Sequence, residues 1–189
     1  RQYWPRALSF FSEIRWRAIV PDTVTYTAAI STCKLSQLWQ GACGFLSEMK
    51  QLSMMPNTIT YSALINVCER GEQWHIALGL LAEMRRLTIV PNAITYTSAI
   101  GVCENCHWWE SAIELLVEMQ RNAIAPNPIT YSAAISVCGK SAQWEYALGL
   151  LAAMRSRGML LDTITYNSAI SACDKGQQWQ AALGLLAEM

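Results

Sequence analysis

The thiols recur on a fixed spacing. Cys33, Cys68, Cys103, Cys138 and Cys173 are each separated by 35 residues. Thiols in such number could form disulfides, ligate a metal or anchor a haem. One segment, Cys103-Glu104-Asn105-Cys106-His107, literally matches the C-x-x-C-H pattern of c-type haem attachment. Cys103, however, is only the in-register cysteine of its unit, and no other unit carries a cysteine at the following turn. A haem would also need room that a close-packed junction between repeats lacks. The only histidines are His75 and His107, so the usual zinc spacings cannot be assembled. A disulfide needs Cα atoms within about 7 Å, whereas stacked helices lie about 8–10 Å apart. The in-register thiols therefore read as small buried apolar groups in a reducing compartment. No cofactor and no metal are expected. Carboxylates are scattered over helix ends, with no nucleophile–base pair and no Gly-rich phosphate loop. The chain reads as non-catalytic, and an enzyme would need a domain outside it.

The elements that carry these residues are set by the same period. Tyr26, Tyr61, Tyr96, Tyr131 and Tyr166 recur at 35 residues. So do Trp39, Trp74, Trp109, Trp144 and Trp179, and Met49, Met84, Met119, Met154 and Met189. Self-similarity at this period marks an array in which each unit contacts only its neighbours. Within one unit, Pro56-Asn57 is a turn signal and Asn a favoured helix N-cap. Ile59, Tyr61, Leu64, Ile65 and Cys68 then follow at helical spacing. Gly71 suits the left-handed position after that helix. A second helix from about Trp74 carries Ala77, Leu78, Leu80, Leu81 and Met84, with Arg85 and Arg86 in its last turn. Neither helix buries its apolar stripe alone, so the pairs must stack. The fold class is all-α: an α-solenoid, a superhelical array of helix-turn-helix repeats. The tryptophans, methionines and tyrosines read as core.

Residues 1–22 read as the second helix of a partial repeat, since Trp4 precedes Trp39 by 35 positions. Full repeats follow at 23–57, 58–92, 93–127 and 128–162, with a truncated one at 163–189. The ends fall mid-repeat, which reads as a window on a longer array. Charged residues make up 15% of the chain, against roughly 25% in an ordinary soluble domain. The formal net charge is zero. That argues against a strong sequence-blind grip on nucleic acid, but not against a partner read through uncharged side chains. No apolar run approaches the roughly 18 residues that span a bilayer, so no membrane partner is expected.

The tetratricopeptide repeat has 34 residues and a Trp-x-x-Leu-Gly-x-x-Tyr opening that this chain lacks. The phrases Val24-Thr25-Tyr26-Thr27, Ile59-Thr60-Tyr61-Ser62, Ile94-Thr95-Tyr96-Thr97, Ile129-Thr130-Tyr131-Ser132 and Ile164-Thr165-Tyr166-Asn167 instead resemble the pentatricopeptide repeat. So does the ending Ala77-Leu78-Gly79-Leu80-Leu81-Ala82-Glu83-Met84 followed by Pro91-Asn92. The resemblance covers the whole chain in register. It implies single-stranded RNA as partner, read one base per repeat, with protein partners reached through flanking regions. It also implies an organelle, mitochondrion or plastid, and a role in RNA processing, stability, editing or translation.

By that resemblance, Val24, Ile59, Ile94, Ile129 and Ile164 are aliphatic wedges that sandwich bases. Thr27 reads with Asn57, Ser62 with Asn92, Thr97 with Asn127 and Ser132 with Asp162, where Leu161 replaces the usual preceding proline. Asp22 lacks its upstream mate, and the partner of Asn167 lies beyond Met189. The family's pattern assigns Thr or Ser plus Asn to adenine, Thr or Ser plus Asp to guanine, and a first-position Asn to pyrimidines. The implied core site is 5′-AAAG(C/U)-3′. Each post-proline Asn or Asp is also where a helix cap belongs. The choice between the two is neutral for capping but informative for bases, because an amide donates and accepts while a carboxylate only accepts. Arg70, Lys140 and Lys175 share one turn position, where a phosphate contact and a solvated charge are both open readings. Leu35 and Asn105 at equivalent positions weaken such a clamp. The alternative function is a protein-interaction scaffold that docks a peptide on the concave face.

Overall fold

The computed structural model describes residues 21–36, 38–69 and 73–189. Ten helices and no strand occur among them. They run α1 (Thr23–Ser36), α2 (Trp39–Gln51), α3 (Thr58–Glu69), α4 (Trp74–Arg86), α5 (Ala93–Asn105), α6 (Trp109–Arg121), α7 (Pro128–Lys140), α8 (Trp144–Ser156), α9 (Thr163–Lys175) and α10 (Trp179–Glu188). Odd-numbered helices open the repeats and even-numbered ones close them. The partial repeat expected over 1–22 falls, apart from Pro21 and Asp22, outside the described residues, as does Gly71.

The chain forms two compact units, residues 1–98 and 99–189. In the first, α1 packs on its own partner α2 and on the next first helix α3, which packs in turn on α4. Tyr26, Ile30, Met49, Tyr61, Leu64, Ile65, Leu81 and Met84 are fully enclosed there. In the second unit α7 contacts α8 and α9, and α9 contacts α10. Ile100, Met119, Tyr131, Ile135, Cys138, Ala147 and Met154 fill its interior. Within each unit a first helix is thus flanked by its own second helix and by the next first helix, α1 by α2 and α3, and α7 by α8 and α9. This is how a thin core runs along a solenoid.

Both in-register sulfur series occupy one kind of slot. At the end of α4 the Ile89 amide donates to the Met84 carbonyl and the Thr88 amide to Arg85. At the end of α7 the Gln143 amide likewise donates to the Cys138 carbonyl. These are Schellman closures, with Met or Cys at the third residue from the helix end. The left-handed residue that completes each closure is Ser53, Thr88, Ala123 or Gly158 between repeats, and His107, Ala142 or Gln177 within them. Sequence placed the left-handed position at Gly71. Its counterpart Gly176 has φ −80° and the left-handed residue follows at Gln177, so that expectation is one residue early in register.

The tryptophans begin the second helices as expected, yet Trp39, Trp74, Trp109 and Trp144 are only half-buried and Trp179 is 65% exposed. At the first position of a helix a large ring overhangs the inter-helix turn instead of entering the core. Trp144 covers Gly176 of the following repeat, where a Cβ would strike the indole. The in-register tyrosines are buried except Tyr166, which is half-buried in the last described repeat, and Met189 is exposed. The in-register cysteines are buried and form no disulfide. Burial raises the thiol pKa of Cys68 to about 12 and those of Cys103 and Cys138 to about 11.

Candidate nucleic-acid interface

Every first helix starts on a polar cap. The Asn57 Oδ1 accepts the Thr60 amide at 3.0 Å, and the Asn92 Oδ1 accepts the Thr95 amide at 3.0 Å. In the second unit Asn127 accepts Thr130 at 2.9 Å and Asp162 accepts Thr165 at 2.8 Å. Asp22 caps α1 through Thr25 at 2.8 Å. The caps at Asn127 and Asp162 have extended backbone, ψ 172° and 166°. The preceding Pro21, Pro56, Pro91 and Pro126 are buried, which fixes where each helix begins. Leu161, at the proline position before Asp162, leaves that cap in place. Thus all five residues of this series, four of them after a proline, cap helices.

One residue beyond the first helical position stands a large aliphatic side chain that the core does not use. Val24, Ile59, Ile94, Ile129 and Ile164 are all between 62 and 72% exposed. Ile59 therefore does not belong to the buried stripe of α3, although its spacing fits. An exposed aliphatic side chain is ordinary when single. Five in register, each beside a cap, form a regular feature on each unit.

At three places the residue after the tyrosine lies next to the following repeat. Thr27 is half-buried, and its hydroxyl lies 2.8 Å from the Thr60 hydroxyl. Ser62 is only 6% exposed and lies 2.7 Å from the Thr95 hydroxyl. Ser132 repeats the arrangement with Thr165 at 2.5 Å. Those same threonines bond the caps: the hydroxyls of Thr60, Thr95 and Thr165 donate to Asn57, Asn92 and Asp162 at 3.1, 3.0 and 2.6 Å. The structure thus brings Thr27 to Asn57, Ser62 to Asn92 and Ser132 to Asp162, each through one shared threonine. Sequence assigned these threonines no role. Their signal was present, since Thr precedes every in-register tyrosine. The fourth expected pair has its halves in different units, Thr97 in the first and Asn127 in the second. Asn167 is exposed on α9.

Charge at the caps is tuned by the same contacts. The Thr165 hydroxyl, and after it the Thr165 amide, hold the Asp162 carboxyl below the usual aspartate range. Asp22 is lowered in the same way by Thr25. Both sit at helix N-termini, where the backbone dipole favours the anion.

In the second unit, Ser136, Gly139, Lys140, Ile164, Asn167, Ser168 and Ser171 line a groove of about 310 Å³ between α7 and α9. It gathers an aliphatic wedge, a polar reading candidate and a lysine on a floor of small residues. Lys140 is paired with Glu104 at 3.1 Å, and the Lys175 ammonium donates to the Lys140 carbonyl at 3.3 Å. Both lysines are thus engaged in the free chain. Arg70 and the side chain of Asn105 lie outside the described residues, as does that of Leu35.

Family models match along much of the chain. A PPR repeat family matches residues 56–105, a pentatricopeptide repeat domain matches 9–70, and a PPR repeat matches 94–124 and 129–159. The chain belongs to the pentatricopeptide repeat family. No curated protein sequence matches it. Among solved structures, the pentatricopeptide repeat protein PPR10 from maize superposes with TM-score 0.72 at 28% identity, covering 100% of this chain and 27% of that one. The chain therefore spans about a quarter of the length of that relative. PPR10 in complex with an 18-nt psaJ RNA element superposes with TM-score 0.76 at 22% identity, over 94% of this chain and 26% of that one. The PPR domain of Arabidopsis thaliana protein-only RNase P 1, in complex with tRNA, gives TM-score 0.70 at 15% identity, over 84% of each chain.

Proposed function

We propose that this chain binds single-stranded RNA sequence-specifically, one base at each step from repeat to repeat. The observation that carries the reading is the register of exposed aliphatic side chains Val24, Ile59, Ile94, Ile129 and Ile164, each beside a polar helix cap. An aliphatic wedge covers a base face, while a hydroxyl and an amide or carboxylate meet its edge. Duplex RNA hides those edges, so the partner is single-stranded. Thr27 with Asn57, Ser62 with Asn92 and Thr97 with Asn127 read adenine, Ser132 with Asp162 reads guanine, and Asn167 reads a pyrimidine. The site is 5′-AAAG(C/U)-3′. Lys140 and Lys175 exchange their internal partners for phosphates, and Arg70 contacts a phosphate as well. Two of the solved relatives were crystallised with RNA, which supports the choice of ligand. The array itself carries no catalytic role, and the setting is an organelle, mitochondrion or plastid.

Selection from a random single-stranded RNA pool tests the reading. Enrichment of AAAG followed by a pyrimidine is the expected result. A pool left unenriched, with a peptide library giving binders on the same surface, would establish the peptide-scaffold function instead.

A further inference from the structure

We propose that the buried threonines Thr60, Thr95 and Thr165 are positioning residues that bridge the two halves of each reading pair and fix which half donates and which accepts. The inference rests on the RNA-reading proposal and names the atoms of that same site.

The hydrogen-bond count leads to it. The Asn92 Oδ1 is met by two donors, the Thr95 amide at 3.0 Å and the Thr95 hydroxyl at 3.0 Å. A backbone amide can only donate, so the acceptor end of the side-chain amide must face Thr95. The Nδ2 group, on the far side of Cγ, is then the end that a ligand meets. Asn57 is held in the same sense by Thr60. Asn57 and Asn92 therefore present a donor.

The hydroxyl half has the opposite polarity. The Ser62 Oγ has two acceptors inside the protein, the Thr58 carbonyl at 2.7 Å and the Thr95 Oγ1 at 2.7 Å. The Thr95 Oγ1 also receives the Asn92 amide at 3.2 Å, which leaves its proton for Asn92 or Ser62. However the two hydroxyl protons are shared, both stay within the cluster, and Ser62 shows only lone pairs outward. Thr27 is placed alike, between the Thr23 carbonyl at 2.7 Å and the Thr60 Oγ1 at 2.8 Å. An acceptor beside a donor matches a base edge that sets an amino group beside a ring nitrogen, as adenine does. At Asp162 the bridge by Thr165 engages Oδ1 and leaves a second carboxylate oxygen, so both halves accept. That pattern suits the adjacent N–H donors of guanine.

The buried threonine is what ties these groups together. Thr60 and Thr95 have no exposed surface and Thr165 has 1%, so none of them is positioned to touch a base itself. Each takes the N3 place of a capping box, and Thr60 and Thr95 also accept the backbone amide of their own cap residue, at 3.5 and 3.2 Å. Each hydroxyl reaches at the same time to the preceding repeat.

The test combines base analogues with one substitution in the full chain. Binding is measured to an AAAG-containing RNA whose second adenine, the base read by Ser62 and Asn92, is kept, changed to guanine, or replaced by 1-deazaadenine or by unsubstituted purine. With the unaltered chain each analogue should weaken binding about tenfold, within the range known for one base-edge contact. In Thr95→Val the amide of residue 95 still closes the cap, but the bridge is gone. Preference for adenine over guanine should fall about tenfold at this base alone, and Thr95→Ser should restore it. A purely structural role would lower thermal stability without singling out one base. Unchanged discrimination in a folded Thr95→Val chain overturns the inference and leaves RNA reading intact. Should Thr95→Val fail to fold, the analogue arm decides: full binding to 1-deazaadenine means that the amide does not donate there. An unaltered chain indifferent to every base change overturns the RNA reading itself, and this inference with it.

Discussion

Gly139 on α7 faces the Ser168 carbonyl on α9 so closely that a Cβ at Gly139 would lie 2.7 Å from that oxygen. The oxygen belongs to a helix backbone and cannot swing aside as a side-chain tip could. The first helices of consecutive repeats approach here at the groove floor. The other repeats carry Lys34, Glu69, Glu104 and Asp174 at this register, so glycine is a local solution. Gly139→Ala should lower unfolding free energy by about 1–3 kcal/mol, the usual range for overpacking. Urea unfolding checks this, and an unchanged midpoint would mean that α7 and α9 separate freely.

The turns between repeats make the opposite prediction. Ser53, Thr88 and Ala123 hold φ between 56° and 57° where Gly158 sits at 66°. An L side chain in that region costs roughly 1–2 kcal/mol relative to glycine, partly offset by glycine's greater freedom when unfolded. Ala123→Gly should therefore stabilise the chain by about 0.5–1 kcal/mol, read as a raised denaturant midpoint at constant slope. Loss of stability would show that the chain relaxes this turn in solution.

Asn92→Asp keeps the size and the cap but exchanges the outward donor for an acceptor. The base read there should change from adenine to guanine by about 1–3 kcal/mol. Stability should barely move, because Asp162 caps α9 in the same geometry. Competition binding with single-base variants checks both this position and its neighbours, which should remain adenine. A folded variant that still prefers adenine would reduce Asn92 to a cap.

Asp162 sets a pH window. Its carboxyl is held below the usual aspartate range by the Thr165 hydroxyl and amide. A lowered folded pKa means that the cap's contribution is fully present above the ordinary aspartate value of about 3.9 and is lost as pH falls through the lowered one. Guanine preference at this base should thus persist from neutrality to about pH 5 and vanish only in stronger acid. Binding titrations on RNA carrying guanine or adenine there check the sign. Loss of preference between pH 7 and 6 would place the controlling group elsewhere.

The period, the helix pairs and the caps were legible because each is written locally. Pro56-Asn57 specifies a helix start by its own chemistry, and Tyr61 and Met84 mark buried faces by spacing. Ile59 fits the same spacing yet is exposed, because spacing along one helix does not show which neighbours cover its first turn. Trp144 misled for a related reason: its size suggests core, but its place at a helix start sets it over the turn at Gly176. The bridging role of Thr95 was invisible because it requires two contacts at once, one to Asn92 three residues away and one to Ser62 across a repeat boundary. A local pattern shows that threonine is repeated, and only the packed pair shows that its hydroxyl joins the cap to the preceding repeat.

The cap and the letter it helps to spell belong to different blocks of chain. A cut between Asn92 and Ala93 keeps Ser62 with Asn92 but gives α5 a foreign cap. A cut before Pro91 keeps α5 with its cap and divides the pair. Since Asn and Asp both close these helices, either cut leaves a chain that can still start its next helix. Blocks of 35 residues can therefore be traded, duplicated or lost with folding intact while the spelling drifts on its own. The array is movable type: its letters can be reset one at a time without recasting the frame.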